Sequence, residues 1–192
     1  MIRQVSVFCA SSQKVDQVYI EAARSLGKIL AQNGISVYYG GGATGLMGSL
    51  ADAILQENGL IYGIIPEFMV EAGWAHTGVN QVIVEDMHER KKKLREHVDA
   101  IITLPGGVGT LEELLEMITL KQLGQIIIPI IIINTNDYYK DLLVFLEKMI
   151  REKFMRDVHR NIWSVTDDPA SVLATIQNAP DWDASAIKIA PV

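Results

Sequence analysis

The feature that most constrains this chain is a set of short, almost uninterrupted apolar runs, rich in Val, Ile and Tyr, alternating with longer amphipathic stretches. A strand with one face in water alternates apolar and polar residues. A strand covered on both faces has no polar side, and such runs belong to parallel sheets. On this reading strands lie near 4–10, 35–39, 60–65, 80–85, 99–104 and 129–133, with a weaker one near 162–166. Helices fall near 17–33, 45–58, 86–97, 110–123, 137–153 and 168–177. Asn33-Gly34 and Asn58-Gly59 close the first two helices, Asp137 is placed to cap the fifth, and Asp168 with Pro169 opens the last. Repeated strand-helix-strand units with short connections predict an α/β fold: a single doubly wound, Rossmann-like domain with a mainly parallel sheet and helices on both faces.

At 192 residues and 49% hydrophobic, the chain is long enough for one well-filled core and too short for two ordinary domains. The domain is expected over 1–180, with 181–192 a tail that is loosely held or docks on a partner. A net charge of -6 argues against a sequence-independent grip on nucleic acid, so any phosphate bound should be small and held by local geometry. The one cysteine, Cys9, sits in an apolar run and reads as a small core residue. The start at Met1 runs straight into a strand-like segment without a signal-peptide pattern, and the apolar block from Ile126 to Ile133 is too short to span a bilayer. A reducing, cytoplasmic location is the expectation. His76, His88, His97 and His159 show no ligand spacing, so neither a metal nor a thiol nucleophile is expected.

In such folds ligands bind at the carboxyl ends of the strands. Two glycine-rich turns follow predicted strands and open helices: Gly40-Gly41-Gly42-Ala43-Thr44-Gly45-Leu46-Met47-Gly48 and Pro105-Gly106-Gly107-Val108-Gly109-Thr110-Leu111-Glu112-Glu113. Glycine lets a backbone approach a ligand closely, and the free N–H groups of a helix start favour an anion. The first turn matches a dinucleotide fingerprint at Gly40, Gly42 and Gly45, but it follows the second strand instead of the first, and no Lys follows Gly45 as a Walker A loop requires. The competing explanation is that the glycines only allow helix and strand to pack closely. Two such turns at neighbouring strand ends favour a phosphate site.

Thr110 to Glu113 also has the form of a capping box, with Thr110 at the cap and Glu113 there for stability. Leu111, Leu114, Leu115 and Ile118 would then face the core, leaving Glu112 and Glu116 in solvent. Alternatively, Glu113 stays ionised at the positive end of a helix and faces developing positive charge. In Asp86-Met87-His88-Glu89-Arg90-Lys91-Lys92-Lys93 the ordinary reading pairs Asp86 with Arg90 and Glu89 with Lys93. A guanidinium at Arg90 would instead clamp phosphate or ribose oxygens if the helix start lies over the strand ends. The long connection from Pro66 to Asn80, with Glu71, Gly73, Trp74 and His76, is placed to form a wall or lid, and Trp74 is suited either to stack on a base or to cover core or interface.

Pro-Gly-Gly-x-Gly-Thr-x-x-Glu at 105–113, Met-His-x-Arg-Lys at 87–91 and Gly-Gly-Gly-x-x-Gly-Leu-Met-Gly at 40–48 together resemble the Lonely Guy family, cytokinin riboside 5′-monophosphate phosphoribohydrolases also described as lysine decarboxylases. The resemblance implies cofactor-free hydrolysis of the N-glycosidic bond of an adenosine-type 5′-monophosphate, with Arg90 and Glu113 catalytic. It carries substrate contacts over to Gly41, Gly42, Gly45, Met47, Glu71, Arg90 and Lys91, to Gly106 through Glu113 (Gly106, Gly107, Val108, Gly109, Thr110, Leu111, Glu112, Glu113), and to Thr119. It implies a homodimer with residues of both subunits near each site. Val108 departs from the aromatic residue many members have there, which bears on the pocket's shape. The alternatives are a nucleotide-binding or carrier protein without turnover, and a decarboxylase, for which no residue context suggests a pyridoxal phosphate lysine.

Overall fold

The computed structural model describes residues 2–190. Its strands are β1 (Gln4–Phe8), β2 (Ser36–Tyr39), β3 (Ile61–Pro66), β4 (Asn80–Val84), β5 (Ala100–Thr103), β6 (Ile130–Ile133) and β7 (Ser164–Thr166). They form one sheet in the order β4-β3-β2-β1-β5-β6-β7, and every pairing is parallel. The helices are α1 (Gln17–Gln32), α2 (Gly45–Gln56), α3 (Glu67–Glu71), α4 (Met87–Arg95), α5 (Val108–Gln122), α6 (Lys140–Arg151) and α7 (Val172–Gln177). The order reverses direction between β1 and β5, the place where an open α/β sheet leaves a crevice.

The two faces of the sheet carry separate cores. One gathers α1, α2 and α7 over Val5, Val7, Ile102, Ile131 and Ile133; the other gathers α4, α5 and α6 over Phe8, Ile101, Ile130 and Ile132. Successive isoleucines of β6 thus go to opposite cores, which is why the run shows no polar alternation. Burial of each such side chain stabilises the fold by about 1.5–3 kcal/mol. The helices α1 and α2 lie so close that a Cβ on Gly27 would stand 2.7 Å from Leu50 O.

Several helix boundaries differ from expectation. Asp137 does not cap the fifth long helix: Asn136 and Asp137 take φ of 54° and 57° in a 3-10 turn, and α6 begins after Tyr139. The Asn134 side chain accepts from Tyr139 N–H at 2.8 Å instead. Asp168 does cap as expected, accepting from Ala170 N–H ahead of α7. The short α3 was not anticipated; it buries no residue, so it leaves no apolar periodicity to read. The segment after α7 packs on its own chain, with Trp182 Nε1 donating to Lys121 O at 2.7 Å on α5. Of the predicted tail, 191 and 192 lie outside the described residues, as does Met1.

Candidate active site

Arg90 is brought to the strand ends by α4, whose first turn is capped by Asp86 accepting from Glu89 N–H at 2.8 Å. One turn into the helix, Arg90 is buried and reaches across the crevice. Its Nη1 donates to Glu113 Oε1 at 2.8 Å, its Nε to Ile64 O at 3.2 Å and its Nη2 to Gly40 O at 3.4 Å. The guanidinium therefore ties β3, the first glycine turn and α5 together. Both members of the ion pair are about 7% exposed, and removing one partner would strand a buried charge, at about 3–5 kcal/mol. Burial pushes the Glu113 carboxyl above the usual glutamate range, while the Arg90 charge and hydrogen bond oppose that rise.

The surface pairs expected along α4 are replaced by bonds to α5. Lys91 Nζ meets Glu112 at 2.5 Å and Glu116 at 3.0 Å, and Arg95 meets Glu116 at 3.2 Å. Glu116 is thus partnered, not simply solvated. Lys93 pairs with Glu96 instead of Glu89.

The capping-box reading of Thr110 is overturned. The helix cap is Gly107, α5 starts at Val108, and Thr110 is a buried residue of its first turn, packed against Gly106. Because the helix begins earlier than the motif suggested, Glu113 sits in its second turn and turns to Arg90. Leu115, expected in the core, is exposed. With glycine at the cap there is no side-chain cap bond, and only Leu111 N–H returns to Gly107 O. The amides of Val108, Gly109 and Thr110 are left as the orphan donors of a fifteen-residue helix. A Cβ on Gly107 or Gly109 would meet no atom within 4 Å, and neither residue has a positive φ. Nothing among the described residues requires glycine at these two positions.

The first turn differs. Gly41 and Gly45 have φ of 78° and 62°, and a Cβ on Gly45 would lie 2.4 Å from Ser12 O. Met47 N–H, in the first turn of α2, is taken by Ala10 O at 3.1 Å, and the Thr44 hydroxyl donates to Ser11 O at 2.7 Å. A Cβ on Gly40 would stand 2.3 Å from Arg90 Nη2, so this glycine makes room for the guanidinium.

The turns are not on adjacent strands: β1 runs between β2 and β5, and the residues that follow it border two hollows, Ser11 one and Ala10 and Ser12 the other. The larger, about 330 Å³, is lined by Gly42, Met47, Met69, Trp74 and Arg90 among others. The smaller, about 220 Å³, lies beside Gly106, Gly107, Tyr19 and Tyr138. Of the predicted residues, Gly42, Met47 and Arg90 line the first, and Gly106 and Gly107 the second. Gly41 is turned toward Ile65, and Glu71, Thr119 and Val108 are exposed and line neither hollow; Val108 is 82% exposed. Met69 and Tyr138 were not anticipated. Tyr138 donates to Gly106 O at 2.7 Å, a contact across 32 residues that no local pattern announces. Among the described residues no group of three or more His, Cys, Asp or Glu side chains could hold a metal ion, and no helix is long and apolar enough to cross a membrane.

A parallel sheet with a switch-point crevice, an uncapped helix start and a buried Arg–Glu ion pair define a Rossmann-like protein with a candidate anion site at that helix start. Its fold matches the molybdenum cofactor carrier protein of Chlamydomonas reinhardtii (TM-score 0.67, 15% identity, 92% of this chain and 98% of that one). It also matches the molybdenum cofactor binding protein of Rippkaea orientalis (TM-score 0.67, 18% identity, 92% and 96%). At such identity the likeness is one of fold alone. A family model described as "Possible lysine decarboxylase" matches residues 47–176. The cytokinin riboside 5′-monophosphate phosphoribohydrolase LOG3 of Arabidopsis thaliana is 42% identical over 161 residues, covering 83% of this chain and 75% of that protein. The enzyme of that name from Rhodococcoides fascians is 37% identical over 178 residues, covering 92% and 90%. The chain belongs to the Lonely Guy family.

Proposed function

We propose that the protein hydrolyses the N-glycosidic bond of an adenosine-type nucleoside 5′-monophosphate, with or without an N6 substituent, to free base and ribose 5-phosphate. The names of its relatives support this class of reaction. The observation that carries it onto this site is the start of α5: three orphan amides and two glycines with open space, one helical turn from a buried Arg–Glu pair. A phosphate lies against the amides of Val108, Gly109 and Thr110, which donate to it without competition from a side-chain cap. The sugar then falls beside Arg90 and Glu113, and the base enters the larger hollow, where Met47, Met69 and Trp74 offer apolar surface.

Cleavage moves the electrons of the C1′–N bond onto the departing base and leaves an oxocarbenium-like ribosyl cation. The Glu113 carboxylate stabilises that cation and orients the water that adds to C1′, while Arg90 fixes the phosphoribosyl group and holds Glu113 in place. The proton that the water releases as it adds to C1′ passes to the departing base, leaving neutral base and ribose 5-phosphate. No cofactor enters this reaction scheme. Residues 1–180 act as one catalytic domain in the cytoplasm. The exposed face of α5, with Val108, Leu115 and Leu123 beside Thr119, supports a homodimer that brings a second copy next to the site. Glu71 and Thr119 serve as contacts only in that assembly.

The test is incubation with adenosine monophosphate, an N6-prenylated analogue and the unphosphorylated nucleosides, followed by chromatography of the released base. Base should appear from the monophosphates alone. A tight nucleotide complex without free base would establish a carrier instead.

A further inference from the structure

The segment between β3 and β4 walls the larger hollow with Met69, Gly73 and Trp74, yet α3 within it buries no residue and Trp74 is 58% exposed. No apolar core holds this wall in place, so hydrogen bonds must. Two are backbone bonds to the first glycine turn, Ala43 N–H to Trp74 O at 3.0 Å and His76 N–H to Gly41 O at 2.9 Å, around a bridge between Gly42 and Ala75. Gln81 Nε2 also donates to His76 O at 3.1 Å, and two further bonds converge on the His76 side chain. His76 Nδ1 accepts from Gly78 N–H at 3.1 Å, which leaves the ring N–H on Nε2, and Nε2 stands 3.0 Å from Asp52 Oδ1 on α2. The ring itself is only 13% exposed, and Gly78 makes room for it: a Cβ there would lie 3.2 Å from His76 Cε1.

We infer that His76 is a positioning residue that latches the 67–78 wall to Asp52 of α2 and so sets the shape of the hollow that receives the base, without touching the reacting atoms. The latch rests on the functional reading above for its consequence in catalysis, though not for its existence. The phosphate end of the substrate depends on the start of α5, beside the smaller hollow, which no residue of the wall lines, while Arg90 borders the larger hollow from the α4 side. Loosening the wall should therefore weaken recognition of the base and spare that of the sugar phosphate. Loss of the His76 ring removes both latch bonds, and the expected reading is a roughly tenfold loss of affinity for the base.

In His76→Ala, KM for adenosine monophosphate should rise about tenfold or more while kcat changes by less than about threefold, and inhibition by ribose 5-phosphate should not change. Asp52→Ala, which removes only the far bond, should give a smaller rise. His76→Gln keeps a donor for Asp52 and should recover part of the loss. Amide hydrogen exchange on the free protein should quicken in residues 67–78 of His76→Ala and stay constant in α5. A parallel loss of ribose 5-phosphate inhibition, or faster exchange throughout α2 and α5, would mean a general defect and overturn the latch; so would an unchanged KM with unchanged exchange at 67–78. The exchange measurement needs no turnover. If wild-type protein cleaves no nucleotide, the functional reading falls by itself and the latch is judged on exchange alone.

Discussion

The two glycine turns look alike as sequence and are built for different ends. In the turn before α2, glycine is demanded from inside the molecule: Gly41 and Gly45 need positive φ, Gly40 yields space to Arg90, and Met47 N–H is already bonded to Ala10 O. In the turn before α5, Gly106 packs on Thr110, but Gly107 and Gly109 face open space with ordinary backbone angles, above amides with no side-chain cap. A glycine the fold requires says little about ligands. A glycine the fold does not require, at the positive end of a long helix, points to something approaching from outside.

The comparison can be broken most severely at Glu113. Glu113→Gln keeps the shape of the second turn's helix and a neutral partner for Arg90, and kcat should fall by about 10²-fold or more with nucleotide binding largely intact. Turnover retained with stability lost would return Glu113 to a structural role. Next comes Gly45→Ala, which forces a Cβ into a positive-φ site 2.4 Å from Ser12 O. It should unfold several degrees earlier, by about 2 kcal/mol or more in a thermal or denaturant titration. Gly109→Ala should do the reverse. Inside a helix and in open space, alanine stabilises the free protein by up to about 1 kcal/mol, yet the added methyl group obstructs the phosphate, raising KM by roughly tenfold. If Gly109→Ala binds nucleotide as well as wild type, the contrast between the turns fails.

The smallest effect is the acid limb of kcat/KM. Burial raises the Glu113 carboxyl, so in the free enzyme the active carboxylate takes up its proton at a higher pH than an exposed glutamate would. Activity should therefore decline, as pH falls, from above the usual glutamate range. Glu113→Gln should lose that limb along with most of its turnover.

Much of the fold was legible because burial on two faces leaves a local signature: β6 spells four isoleucines, and α1 repeats its apolar positions at helical spacing. The candidate catalytic pair was legible only as two motifs. What joins Arg90 to Glu113 is a fold that sets a helix start over the end of β3 and a second helix across from it. The misread start of α5 has the same origin. Thr110 and Glu113 satisfy a capping pattern, but the Pro105-Gly106-Gly107 turn lets the helix begin earlier, and a buried guanidinium claims the carboxylate. His76 and Asp52 carried no pattern at all, being 24 residues apart and meeting only because the Gly42–Ala75 bridge folds the wall onto α2.

The sequence by itself determined the parallel sheet, the two glycine turns and the residue types available for chemistry, since each is written in neighbouring residues through strand burial, backbone freedom and helix start. Tertiary structure alone decided which turn is spent on packing and which remains open, and which charged groups meet, because such choices depend on what stands opposite a Cβ or a carboxylate across dozens of residues.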